Sequence, residues 1–250
     1  MNKPKSSGNG QIIASGGTGI VHIGKPISGT GSTNSEKSNK IDILFVIDTT
    51  VSMDDKIEAL LTTCKQFVDE ARKLDLDPNF ALISFGDIKV EGGGDRIDIV
   101  VPLTSNIESI KNGLTNIPRN NGFGNDGESS LEALEKALTI KCRSGTVKVV
   151  ILITDDAAHQ HHITASRMTT VLKEKEYLAF IVATTHEYYR HMAKQTGGFW
   201  RDVTKTSSLN DILDMFRTMA KKVVQVAKNI HQFADGSVTK YLQLNPPKDE

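Results

Sequence analysis

The stretch Ile41-Asp42-Ile43-Leu44-Phe45-Val46-Ile47-Asp48-Thr49-Thr50-Val51-Ser52 (residues 41–52) decides how the rest of the chain is read. Ile43 to Ile47 is an unbroken apolar run rich in β-branched residues, which fits a strand covered on both faces. Asp48 then marks the carboxyl end of the sheet, the end at which open α/β sheets bind ligands. Asp48, Thr50 and Ser52 place side-chain oxygens on alternate residues of one short loop before a helix, so all three can turn toward one point. Oxygen-only donors suit a hard divalent cation. The competing reading of the same residues is a capped loop that holds no ligand.

Downstream of this strand, Asp54 and Asp55 occupy a first helical turn, where exposed N–H groups favour carboxylates. Ile57, Leu60, Leu61, Cys64, Phe67, Val68 and Ala71 follow at helical spacing, predicting an amphipathic helix to about Lys73. Strands are expected over 79–85 and 97–103, paired as an antiparallel hairpin at a sheet edge that Pro102 blunts. Ile107, Ile110 and Leu114 mark a short helix, and Leu131, Leu134 and Leu138 another. Residues 147–154 read as a second buried strand ending in acids, Asp155 and Asp156. Then come a helix over about 163–175, a strand over 177–184, a helix near 187–196, a short strand at Phe199 and Trp200, and a long helix from Leu209 to about Gln232. Trp200 is expected to pack against that last helix, and the C-terminal segment to add a short strand. Strands alternating with helices predict a doubly wound, mostly parallel six-stranded sheet flanked by helices, with one antiparallel edge strand.

The chain has 250 residues, 38% hydrophobic, so one domain of ordinary core size plus tails is expected. Residues 1–39 read as a Gly/Ser-rich tail ending in a linker, although 11–27 would also suit a small hairpin. The domain is placed at 40–232 and a C-terminal tail at 233–250. With 30 basic and 30 acidic residues interspersed, no electrostatic footprint marks nucleic acid or an anionic membrane as a partner. No apolar segment approaches the roughly 20 residues of a membrane span, and the N-terminus lacks a signal-peptide core, so a cytoplasmic location is expected. Cys64 and Cys142, both assigned to helices, are expected as reduced, buried thiols.

The D-x-T-x-S of Asp48, Thr50 and Ser52 resembles the metal-ion-dependent adhesion site of von Willebrand factor A domains. Later segments extend the resemblance over about residues 40–232. In that family the site draws on three loops at the carboxyl edge, which implies Asp48, Thr50 and Ser52 from the first and Asp155 from the third. In the second, where Gly-x-Thr is usual, this chain has Gly124-Asn125-Asp126, so the resemblance implies a carboxylate, Asp126, either as a direct ligand or through water. The implied ion is Mg2+, or Mn2+ or Ca2+ in its place. Three carboxylates around one divalent ion leave a net negative site, which would attract an acidic partner less than a neutral one. The family further implies protein recognition rather than catalysis, with a partner's acidic side chain completing the metal shell. Bacterial intracellular members work in multi-protein complexes beside ATPases, kinases or phosphatases.

One rival remains: a Rossmann-like phosphohydrolase would use Asp48 as nucleophile but needs a second acid where Thr50 stands, whereas a P-loop or dinucleotide fold fails because no glycine-rich turn follows the first strand. His159, His161 and His162 are too close in sequence to face one transition metal together, although His159 is expected beside the acidic site. Asp156 is read as a helix-capping acid.

Overall fold

β1 (Lys40–Asp48) is buried from Ile41 to its end, and its side chains divide between two cores. Ile41, Ile43, Phe45 and Ile47 enter one, Leu44 and Val46 the other. This two-sided burial is why the run is apolar at consecutive positions. A computed structural model describes residues 38–88, 95–120, 127–160, 162–203 and 208–247. The chain divides into Met1–Ser35 and Glu36–Glu250, and every described residue belongs to the second unit. The expected hairpin at 11–27, the Gly124-Asn125-Asp126 loop and His161 lie outside the described residues.

After β1, the elements are α1 (Asp54–Lys73), β2 (Asp77–Phe85), β3 (Asp98–Thr104), α2 (Ile107–Thr115), α3 (Ser130–Ala137), β4 (Val147–Ile153) and α4 (Ala165–Glu174). They continue with β5 (Tyr177–Ala183), α5 (Glu187–Gln195), β6 (Trp200–Asp202), α6 (Leu209–Phe233) and α7 (Val238–Leu244). The sheet order is β3-β2-β1-β4-β5-β6. Every neighbouring pair is parallel except β2 and β3, so the expected hairpin and its edge are present, with Pro102 exposed on it. β1 therefore sits between two parallel neighbours, and the loops after β1 and β4 emerge side by side at the carboxyl edge.

One helical layer is α1, α2, α6 and α7; the other is α3, α4 and α5. In the first, Phe45 meets Phe67 of α1 edge-on at 5.3 Å and stacks with Phe80 of β2 at 6.2 Å. At the amino ends of the strands, Arg143 donates from Nε and its backbone N to the fully buried Asp42, each at 2.7 Å. Its Nη1 reaches the Asp77 carboxylate and its Nη2 the Asp77 and Ile41 carbonyls, so one guanidinium ties β1 to β2.

Three expectations need correction. The C-terminal segment forms the helix α7 rather than a strand, because the Ser237 side chain caps it by accepting from Lys240 N at 3.2 Å. Trp200 packs away from α6, in the α3–α5 layer, with the Arg190 guanidinium over its ring at 4.4 Å. Its register partner Ile181 faces that layer, and partners across parallel strands share a face. Phe199 instead takes the α6 side, under Lys222. Cys142 lies after α3 has ended, in the loop before β4, where its thiol meets the Tyr177 hydroxyl at 3.3 Å; Cys64 is buried in α1 as expected.

Candidate metal centre

Asp48 ends β1 with no exposed surface. Its Oδ1 accepts from Thr50 N at 2.9 Å and Thr50 Oγ1 at 2.7 Å, an Asx-type turn that folds the loop back over the strand end. Its Oδ2 accepts from Thr154 Oγ1 at 2.8 Å. Thr154 follows β4 directly opposite Asp48, because Ile47 pairs with Ile153. Burial pushes the Asp48 carboxyl up to about 6, against hydrogen bonds from Thr50 and Thr154 that pull it down and Asp155 that adds to the rise. Among the described residues no cation pairs with it.

A 3-10 turn at Val51–Met53 then carries Ser52 over the neighbouring loop. Ser52 Oγ donates to Asp155 Oδ1 at 2.8 Å and lies 3.4 Å from Thr50 Oγ1. Asp155 is 1% exposed. Four of the five predicted ligands, Asp48, Thr50, Ser52 and Asp155, thus stand within one hydrogen-bonded chain; Asp126 lies outside the described residues. The cluster holds carboxylate and hydroxyl oxygens only, and among the described residues no three His, Cys, Asp or Glu side chains form a metal-holding group. That donor set fits a hard divalent ion with some coordination left for solvent or a partner, not a transition metal.

Sequence reasoning missed Lys56. Its ammonium is 2% exposed and reaches Asp155 Oδ2 at 3.2 Å and Ser52 O at 2.9 Å. The available signal was phase: Lys56 shares the inner face of α1 with Ala59, Leu60, Thr63 and Phe67, an odd place for a lysine without a partner. Glu128 was also missed. It is 5% exposed, its Oε2 meets no hydrogen-bond partner among the described residues, and burial with the negative charges of Asp48, Asp87, Asp156 and Asp95 pushes its carboxyl up to about 9. A protonated Glu128 adds no charge to the site at neutral pH. Its backbone bridges to Ala158, with His159 N donating to Glu128 O at 2.9 Å, which fastens the second loop to the third.

His159 is buried, 3.2 Å from Asp87 Oδ1, beside this acidic cluster as expected. Asp156 caps no helix, since α4 starts only at Ala165; its Oδ1 accepts from Ala157 N at 2.7 Å and stiffens the loop. On the first loop's other side, Asn120 Nδ2 donates to Thr49 Oγ1 at 2.8 Å. The phosphohydrolase reading fares poorly here. Thr50, where that chemistry needs an acid, is spent on hydrogen bonds to Asp48 itself.

The family model for the von Willebrand factor type A domain matches residues 42–232. This chain belongs to that family. Von Willebrand factor A domains are protein-interaction modules and generally not enzymes. Among solved structures, the chain is similar to a von Willebrand factor type A protein from Catenulispora acidiphila at 18% identity and TM-score 0.53, covering 74% of this chain and 43% of that one. The SpRpn10 VWA domain matches at 14% identity and TM-score 0.53, over 70% of this chain and 94% of that one. Proximal thread matrix protein 1 of the mussel byssus matches at 17% identity and TM-score 0.55, over 75% and 46%. At these identities the likeness concerns the fold, and the chain spans less than half of the first and third proteins. No curated protein matches the sequence. Among the described residues no helix is long and apolar enough to cross a membrane.

Proposed function

We propose that this von Willebrand factor A domain binds one divalent cation, Mg2+ or its Mn2+ or Ca2+ substitute, at the carboxyl edge of its sheet and uses that edge to recognise a protein partner. The supporting observation is Asp48, a fully buried carboxylate that has no cation partner among the described residues, bonded to the Thr50 and Thr154 hydroxyls with Ser52 next in the same chain. Asp48, Ser52 and Asp155 would hold the ion, with Thr50 and Asp126 acting directly or through water. The bound ion would supply an electrophilic point on which a partner's acidic side chain could complete the shell.

Lys56 changes the charge count. Asp48, Asp126 and Asp155 contribute three negative charges, Lys56 one positive and the ion two, so the sum is zero. The repulsion of an acidic ligand expected from three carboxylates is therefore offset from within the fold. Val51, the exposed residue between Thr50 and Ser52 (67% exposed), would give such a partner an apolar contact at the rim.

Calorimetric titration of the metal-free protein with Mg2+ and Mn2+ should give one site per chain, abolished in Asp48→Ala and weakened in Ser52→Ala. Absence of binding heat in the wild type, or full binding by Asp48→Ala, overturns the proposal. Pull-downs with and without chelator then separate a metal-dependent partner from one that ignores the ion.

A further inference from the structure

At the other edge of the sheet, three strands and about 14 Å from β1, the chain forms a cleft of about 530 Å³ between β6, α5 and α7. Its floor is set by two glycines. A Cβ on Gly198 would come 1.9 Å from the Ala179 carbonyl, and one on Gly197, at φ +79°, would meet Leu242 at 2.8 Å. Only glycine lets the chain lie this close to β5 beneath α7.

Among the described residues, β6 is bonded on one side only. Ile181 N donates to Phe199 O at 2.9 Å, and Val203 N to Ala183 O at 3.3 Å. By strand alternation the backbone groups of Trp200 and Asp202 point away from β5, toward the open edge. Among the described residues, the cleft lining carries Arg190, Lys194 and Arg201 and no carboxylate. Arg190 stacks on Trp200 at 4.4 Å and Arg201 on Phe199 at 5.0 Å. Stacking fixes each guanidinium plane while leaving its N–H edge free for a carboxylate. Among the described residues none of the three cations is in an ion pair.

We propose that this cleft docks an acidic peptide segment of a partner protein, laid as an added strand along β6 with its carboxylates on Arg190, Lys194 and Arg201. Backbone pairing supplies part of the affinity and charge complementarity the choice of partner. The adjoining depression, beyond Arg201, is lined by Asp202, Asp211 and Asp214. A segment that turns from acidic to basic along its length matches both surfaces, whereas a nucleic acid, negative throughout, would meet these carboxylates. The site is separate from the proposed metal centre and does not rest on it.

The test is fluorescence anisotropy of the full chain with a labelled Glu-Glu-Val-Glu-Glu-Val-Lys-Val peptide, whose neighbouring glutamates face opposite sides of an added strand and so reach both Arg190 and Arg201, its charge-inverted counterpart and a short oligothymidylate. The acidic peptide should bind with a Kd below about 1 mM and at least about tenfold more tightly than either control. Arg190→Glu combined with Lys194→Glu should weaken binding about tenfold or more in a variant that still melts cooperatively, with the melting temperature lowered by no more than about 8 °C for the lost stacking on Trp200 and the acid in the last turn of α5. Asp202→Pro, which removes an outward N–H from the edge, should weaken it too. Binding should persist in Asp48→Ala and in chelator, which separates this site from the metal centre. No binding at 1 mM, a preference for either control, indifference to the charge reversal, or loss with Asp48→Ala would each overturn the proposal.

Discussion

Lys56 sets the electrostatics of the proposed metal edge, because a buried ammonium next to Asp155 would either stand in for part of an ion's charge or compete with it. The two effects predict opposite consequences for one substitution. Lys56→Met keeps the length and apolar stem but leaves Asp155 buried without its cation, a loss that costs about 3 kcal/mol for a broken buried pair. The same change removes a positive charge near the ion, so Mg2+ affinity should rise by about tenfold, roughly 1.4 kcal/mol. Thermal melting should show the variant destabilised without metal and largely rescued at saturating Mg2+. Destabilisation that Mg2+ does not relieve would show that Lys56 is only a structural partner of Asp155. At this scale the sequence singled out Asp48, Thr50, Ser52 and Asp155, which the fold brings together because the two apolar runs that end in acids become neighbouring strands. It did not reveal Thr154 or Glu128, whose parts depend on which strands become neighbours, and that is settled by topology rather than by local pattern.

Among the elements, α7 shows where local pattern misleads. Val238, Tyr241, Leu242 and Leu244 suggest a strand by composition, yet Ser237 and a carboxylate from another element set up a helix start. Glu176 accepts from Ser237 Oγ at 2.8 Å and from Thr239 N at 3.1 Å. It does so from a left-handed backbone, φ 57°, just past the end of α4, where glycine would be favoured. Partial burial raises its carboxyl, but the bonds from Ser237 and Thr239 outweigh that and hold it below the ordinary 4.5. A depressed folded pKa means this contribution is complete above about pH 4.5 and fades as the pH falls through the lower folded value. Amide hydrogen exchange over residues 239–244 should therefore quicken in acid in the wild type, while Glu176→Gln should exchange faster at neutral pH and respond less to acid. Equal pH responses in the two proteins would remove Glu176 from the account. The other elements were legible because their apolar periods were clear, and the antiparallel edge because a glycine-rich break separates two short strands, one carrying Pro102.

For the whole molecule, the sheet has a proposed metal-binding end and a fastening end. The carboxyl end gathers hydroxyls and carboxylates whose charges are only partly matched. At the amino end Arg143 answers Asp42, Asp77 and two carbonyls at once. Residues 1–37 read by composition as a tail, and their removal should leave the melting temperature within about 2 °C; a larger drop would show that they contribute to the domain's stability. The two ends of β1 differ in kind, and one substitution separates them. Arg143→Ala leaves Asp42, which has no exposed surface, without a counter-charge, and breaking such a pair costs about 3 kcal/mol. In a domain of this size that corresponds to a fall of roughly 6–12 °C in melting temperature. Asp42 and Asp48 are six residues apart on a strand, about 20 Å, beyond the range over which substitutions usually couple. Mg2+ affinity in Arg143→Ala should therefore stay within about twofold of the wild type, measured by calorimetry at a temperature where both proteins are folded. A large loss of metal affinity together with stability would show that β1 transmits strain along its length, and that the two ends of the sheet are not independent.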